Sequence, residues 1–219
     1  MPETPAIIST PAELRTAVAQ ARRAGKRIGV VPTMGALHAG HLSLVEACCR
    51  ECDYQIVTVF VNPTQFGPGE DFQKYPRTLE ADLKLLAQHP VDAVFTPAIE
   101  TMYPHGNATF VEVGPVAEPW EGAHRPGHFR GVATVVLKLL NLTAPDVAYF
   151  GQKDFQQTLV VQQMVRDLNV PVEIRVCPTL REPDDSQTLE PVATIERPVI
   201  ALVAAKVGAT RLIDNTWLK

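Results

Sequence analysis

The chain has 219 residues, of which 46% are hydrophobic and 20% charged, with a net charge of −4 and a pI near 5.9. That suits one large domain with a real core, or one domain with a small appendage, and the scattered Lys and Arg argue against a nucleic-acid groove, which needs a basic stripe. No membrane span is expected, because the helical run Val132–Leu137 is broken by Lys138; the chain opens without a leader pattern, and the crowded Cys48, Cys49 and Cys52 do not resemble a secreted disulfide framework, so a reducing, cytoplasmic location is expected.

Thr10-Pro11-Ala12-Glu13 reads as a helix start, with Thr10 as the cap and Glu13 reaching back to it. Leu14, Val18 and Ala21 mark the apolar face, and Gly25 ends the helix. Arg27–Val31 is a short buried strand; a loop follows, and Gly40 leads into a helix through Leu42, Leu44, Val45 and Cys48. Gln55–Val61 is apolar at nearly every position, as in a parallel strand covered on both faces. The alternation continues with a helix over Thr78–Gln88 and strands over Val91–Thr96 and Thr109–Val113. A helix over Arg130–Leu142, a strand over Val147–Phe150, a helix over Phe155–Leu168 and a strand over Val172–Val176 complete it. Strands alternating with helices predict an α/β fold built on a Rossmann-like doubly wound parallel sheet. After Asp184 the helices stop. Residues 189–195, 199–205 and 211–213 read as short strands of a truncated, mainly β C-terminal appendage.

Ligands of open α/β sheets bind at the carboxyl ends of strands, where helix N-termini present unpaired N–H groups. His38-Ala39-Gly40-His41 falls at such a place: two imidazoles three apart can face one phosphate group, and Gly40 lets a ligand approach the backbone. Asn62-Pro63-Thr64-Gln65-Phe66 follows the next strand on the same rim, so Asn62 and Gln65 are candidate substrate contacts. Gly151-Gln152-Lys153-Asp154 again joins a strand to a helix. Lys153 there offers charge to a phosphate, whereas Asp154 fits a helix cap with Gln157 as well as a ligand contact. Arg125 and Arg130 flank a Pro-Gly turn and offer guanidinium groups to a carboxylate or phosphate. No metal ligand set is assigned: Cys49 and Cys52 read as packing thiols several turns from His38 and His41, and Pro126 and Gly127 keep His124 and His128 off one continuous helix.

Together these motifs resemble the pantoate–β-alanine ligase family of the HIGH-motif nucleotidyltransferase-like superfamily. The resemblance runs from Ile7 to Asp184 through Pro32–His41, Phe60–Phe66, Tyr75-Pro76-Arg77, Arg125–Gly131 and Phe150–Gln157, and the segment Val207–Asn215 is similar to that family's ending. It implies a two-step reaction: ATP and pantoate give pantoyl adenylate and pyrophosphate, and β-alanine then displaces AMP. Carried over by position, Met34, Gly35, Ala36, Leu37, His38, Ala39, Gly40, His41, Gly151, Gln152, Lys153, Asp154 and Leu180 contact ATP, with His41 as the catalytic acid. Gln65 then contacts pantoate and β-alanine and Gln157 pantoate, with Asn62 and Arg125 as further candidate substrate contacts from their own positions; Mg²⁺ accompanies the nucleotide, and the assembly is a homodimer. Residues 1–184 then form the ATP- and pantoate-binding domain and 185–219 a remnant of the C-terminal lid domain. Asn62–Phe66 and Gly151–Gln157 argue against an adenylyl- or cytidylyltransferase built on the same His-x-Gly-His turn.

One departure is large. Family members continue after the Arg-Glu-x-Asp stretch into a Met-Ser-Ser-Arg-Asn-type loop and a helical lid, whereas here Asp184 is followed directly by Asp185-Ser186-Gln187-Thr188-Leu189-Glu190-Pro191. That loop would stabilise departing pyrophosphate. Removing one preorganised element of this kind costs about 10²–10³ in rate, so a non-catalytic binding remnant is the competing expectation.

Overall fold

The structure, a computed structural model, describes residues 5–67, 70, 72–180, 199–207 and 210–218. Strand β1 (Ala6–Ile8) precedes helix α1 (Pro11–Arg23), β2 (Ile28–Thr33), α2 (Ala39–Glu51) and β3 (Tyr54–Val59). Then come α3 (Leu79–Leu86), β4 (Ala93–Phe95), and the short helices α4 (Ile99–Met102) and α5 (Glu121–His124). Helix α6 (His128–Thr143), β5 (Val147–Gly151), α7 (Phe155–Asp167) and β6 (Glu173–Cys177) complete the main body. Its six strands pair in parallel in the order β1-β4-β3-β2-β5-β6. The chain switches direction between β2 and β5, which opens a crevice at their carboxyl ends.

Helices cover both faces, as the continuous apolar strands require. Leu14 of α1, Leu140 of α6 and Val160 of α7 meet Ile28, Val30 and Ile56 in one core layer. Val45 and Cys48 of α2 and Leu86 of α3 meet Val31, Val57 and Tyr149 in the other. Complete burial of such side chains is worth roughly 1.5–3 kcal/mol each. Helix α2 lies so close to β2 that a Cβ on Gly29 would stand 2.3 Å from the Cys48 Sγ. The thiols of Cys48 and Cys52 are thus core packing at the C-terminal end of α2, away from the two histidines at its start. Across the switch point, the Asp146 carboxylate accepts the Ile28 N–H at 2.7 Å and pairs with Arg22 at 2.6 Å, tying β2 to the start of β5.

Two expectations need correction. Thr109–Val113 is not a strand: the Val111 N–H donates to Thr134 Oγ1 of α6 at 2.9 Å, so the segment lies along the helix. Its Phe110 ring carries the Arg130 guanidinium at 4.1 Å, and Arg130 also pairs with Glu112, which makes Arg130 structural. Second, the region expected as short strands at 199–205 and 211–213 forms a hairpin of two longer ones, β7 (Val199–Val207) and β8 (Thr210–Leu218), in antiparallel register from Val199↔Leu218 to Val207↔Thr210. The expected strand at 189–195 and the domain boundary at 184/185 lie outside the described residues. Among the described residues, no helix is long and apolar enough to cross a membrane.

Candidate active site

Three loops meet at the crevice: residues 33–38 after β2, 60–66 after β3 and 151–154 after β5. The first is shaped by a residue that motif reading missed. Asp82 of α3 is 1% exposed, and its carboxylate accepts the N–H groups of Ala36 at 3.1 Å and Leu37 at 2.8 Å, with the Thr78 hydroxyl at 3.3 Å. These charge-assisted bonds hold a loop in which Gly35 and Ala36 both take positive φ, +82° and +52°.

At the loop's end, His38 caps α2. Its Nδ1 accepts the Gly40 N–H at 3.1 Å, and Nδ1 of His41 accepts the His38 N–H at 3.4 Å. The rings lie tilted by 49° with centroids 4.1 Å apart. A Cβ on Gly40 would stand 2.9 Å from His38 Cε1, so the glycine makes room for the capping ring. With Nδ1 of each ring occupied by a backbone N–H, Nε2 is the nitrogen left to face a ligand. Burial, reinforced by the neighbouring His38 and Lys153 and opposed by Asp82, pushes His41 down to about 4. It is therefore a neutral Nε2–H donor at pH 7. In the ligand-free state His41 can thus hydrogen-bond a phosphate as a neutral imidazole.

Asn62 is 1% exposed and fully engaged within the protein. Its carbonyl oxygen accepts the Thr64 N–H at 3.3 Å and the hydroxyls of Thr64 at 2.9 Å and Tyr103 at 2.8 Å. Its amide donates to Gln65 Oε1 at 3.1 Å and the Gly131 carbonyl at 3.2 Å. Asn62, expected as a substrate contact, is thus engaged by protein partners on both its amide and its carbonyl, and it orients Gln65. Gln65 in turn donates to Met34 Sδ at 2.9 Å, while its backbone carbonyl accepts His128 Nδ1–H at 2.9 Å. Helix α6 can reach this turn because residue 131 is glycine: a Cβ there would stand 2.3 Å from the Thr64 carbonyl oxygen.

His128, discounted as a metal ligand and otherwise unassigned by motif, joins two predicted site residues. With Nδ1–H donated to Gln65, its Nε2 accepts from Arg125 at 3.1 Å. Burial lowers its pKa, in the same direction as the Arg125 charge. Arg125 itself is held by Glu70 through bonds of 2.6 and 2.8 Å, and Arg125 holds the Glu70 carboxyl below its ordinary range.

Two cavities lie beside residues that Gln65 bonds. One of about 200 Å³ is lined by Arg125, His128, Lys153, Asp154 and Gln157 on one side and by Ile213–Asn215 of β8 on the other. A second, of about 300 Å³, is lined by Met34, Gly35 and Asp82 among others. Gln65 links them by bonding Met34 of one and His128 of the other. Leu180, expected near ATP, is 55% exposed beyond the end of β6 and lines neither cavity.

The Asp154 cap is also corrected: Asp154 stands at the N-cap of α7 but makes no side-chain capping bond. Residues Gln152–Asp154 form a 3₁₀ turn running directly into the helix, with Asp154 at φ −93° and ψ 61° instead of the extended conformation of a capping residue. Its carboxylate is exposed on the rim.

Residues 6–186 match the family model described as pantoate-beta-alanine ligase. The pantothenate synthetase of Roseiflexus castenholzii is 61% identical over 178 residues, which cover 81% of this chain and 63% of that protein. The Thermotoga neapolitana enzyme is 43% identical over an alignment of 277 residues that spans 97% of this chain and 99% of the relative, so the 219-residue chain leaves a gap of dozens of positions. The first relatives are thus matched over less than two thirds of their length. Among solved structures, pantothenate synthetase from Thermus thermophilus superposes with a TM-score of 0.86 at 40% identity, covering 96% of this chain and 98% of that one. Pantoate-beta-alanine ligase from Francisella tularensis, described as complexed with beta-gamma ATP and beta-alanine, also gives 0.86, at 34% identity and 97% coverage of each chain. With its sheet order, its three rim loops and residues 6–186 under one family model, the chain belongs to the pantoate–β-alanine ligase family.

Proposed function

We propose that the chain binds ATP between the Met34–His41 and Gly151–Asp154 loops and activates pantoate as its adenylate for attack by β-alanine. The observation that carries this reading is that both loops leave the carboxyl ends of the adjacent parallel strands β2 and β5, at the switch point of the sheet. A pantoate carboxylate oxygen attacks the α-phosphorus of ATP, the bond to the β-phosphate oxygen breaks, and pyrophosphate leaves. The amine of β-alanine then attacks the acyl carbon, loses a proton and expels AMP. In the first step Nε2–H of His38 and His41 would donate to phosphate oxygens and Lys153 would offset charge. Gln65 and Gln157 would hold pantoate, and Arg125, poised between Glu70 and His128, would meet a carboxylate.

Mg²⁺ fits as a partner of the triphosphate. Asp154 offers one exposed carboxylate on the same rim and would hold the ion together with the triphosphate's own oxygens, since the described residues contain no cluster of three or more His, Cys, Asp or Glu. Its contribution would be to neutralise charge on the leaving pyrophosphate. Carried over with the family are a division at residue 184, a cytoplasmic homodimer and a β remnant of the lid in 185–219; sedimentation tests the dimer.

The second reading, a binding protein without turnover, is favoured by the gap against the longer relatives. Pantoate-dependent exchange of labelled pyrophosphate into ATP decides between them. Exchange supports the ligase; ATP binding without exchange at high protein concentration supports the remnant; absence of ATP binding overturns both.

A further inference from the structure

Resting on that ATP-binding reading, we propose that Asn215 is a positioning residue for the triphosphate: from the C-terminal hairpin it fixes the Gly151–Asp154 loop in its phosphate-facing geometry. Asn215 is 4% exposed on β8. Its amide donates to the backbone carbonyls of Gln152 at 2.8 Å and Lys153 at 2.7 Å, and its own carbonyl oxygen accepts from Gln152 Nε2 at 3.4 Å. A single forked donor thus holds two consecutive carbonyls of the turn that opens α7.

The geometry follows from the planar trans peptide, in which C=O and N–H point to opposite sides. Fixing the carbonyls of residues 152 and 153 toward the hairpin turns the N–H groups of Lys153 and Asp154 away from it. Those two amides lie at the positive end of α7, and Lys153 already acts on His41 across the crevice. A carboxylate could not take the place of the amide, because aspartate has no donor for either carbonyl. Asn215 therefore prepares the loop before nucleotide arrives, and it works from a segment far along the chain from the Rossmann-like body.

The test compares the full chain with Asn215→Asp and Asn215→Ala, each checked for an unchanged melting temperature of the main body. MgATP affinity is measured by calorimetry, pantoate and ATP KM by pyrophosphate exchange, and order in residues 152–154 by amide hydrogen exchange. Expected is a loss of ATP affinity of tenfold or more in both variants, with faster exchange at 152–154 and pantoate KM within twofold. Unchanged ATP affinity in either folded variant overturns the proposal, as does an equal loss for pantoate and ATP, which would make Asn215 a mere tether of the hairpin. If the parent binds ATP but shows no exchange activity, the ligase reading fails while calorimetry still decides the role of Asn215. If the parent binds no ATP, both fall.

Discussion

The rings of His38 and His41 lie 4.1 Å apart with planes tilted by 49°, and Nδ1 of each is turned onto a backbone N–H at the start of α2. Two electron-rich nitrogens are thus committed to the helix, and the opposite edges are presented to the crevice. At neutral pH this makes His41 a group whose protonation an arriving anion should change.

The sign of the pH effect follows. His41 sits near 4 when folded and near 6.5 when free, so between these values the unfolded chain holds more protons. Its contribution to stability is complete above about pH 6.5 and is lost as pH falls toward 4. A bound triphosphate raises the folded value, so ATP binding near pH 6 should take up protons. Calorimetry in buffers of different ionisation enthalpy measures that uptake, and His41→Asn should abolish most of it while lowering exchange activity by about 10²–10³.

Replacing Asp82 should damage the first loop without touching ligand. Asp82→Asn puts an amide where two backbone N–H groups need an acceptor, at a cost of about 1.5–3 kcal/mol by denaturant unfolding. Faster amide exchange at Ala36 and Leu37 should accompany it, with weaker ATP binding.

Gly131→Ala reverses a familiar sign. In an ordinary helix this change gains about 1 kcal/mol, but here the new methyl would meet the Thr64 carbonyl at 2.3 Å. Overpacking of this sort costs about 1–3 kcal/mol. The expected outcome is lower stability together with a raised pantoate KM, because Asn62 and Gln65 move with the displaced turn.

Glu70→Gln should have a small thermodynamic and a larger functional effect. The Arg125–Glu70 pair is partly exposed, so its loss is worth about 0–1 kcal/mol. With the carboxyl held below its ordinary range by Arg125, that contribution is present above about pH 4.5 and disappears in more acid solution. Freed from Glu70, Arg125 should lose its fixed place beside His128, and substrate KM should rise more than kcat falls.

Much of the fold was legible because the signals are local. Thr10 and Glu13 form the expected capping box, and Gln55–Val61 reads as a doubly covered strand whose core is β3. Likewise the rim position of His38–His41 follows from a buried strand ending in a helix start. Asp82, His128 and Asn215 were not legible, since each acts on a loop supplied by another part of the chain: Asp82 lies 46 residues from Ala36, His128 lies 63 from Gln65, and Asn215 lies 62 from Lys153. Nothing in their immediate neighbours announces that. The Asp154 cap failed for the opposite reason. The residue pattern was right, but the preceding 3₁₀ turn set a backbone from which the carboxylate makes no capping bond.

The tie between Ile28 and Asp146 also sets a schedule. These residues are 118 positions apart in sequence, and at synthesis rates of about 5–20 residues per second the second emerges roughly 6–24 s after the first. Throughout that interval one edge of β2 has no neighbour, and the histidine loop stands at the rim of half a crevice. Closing the sheet is a long-range event of the slow-forming kind. Until it occurs, the nascent chain carries an open strand edge that chaperones, or another nascent copy, can occupy before β5 does.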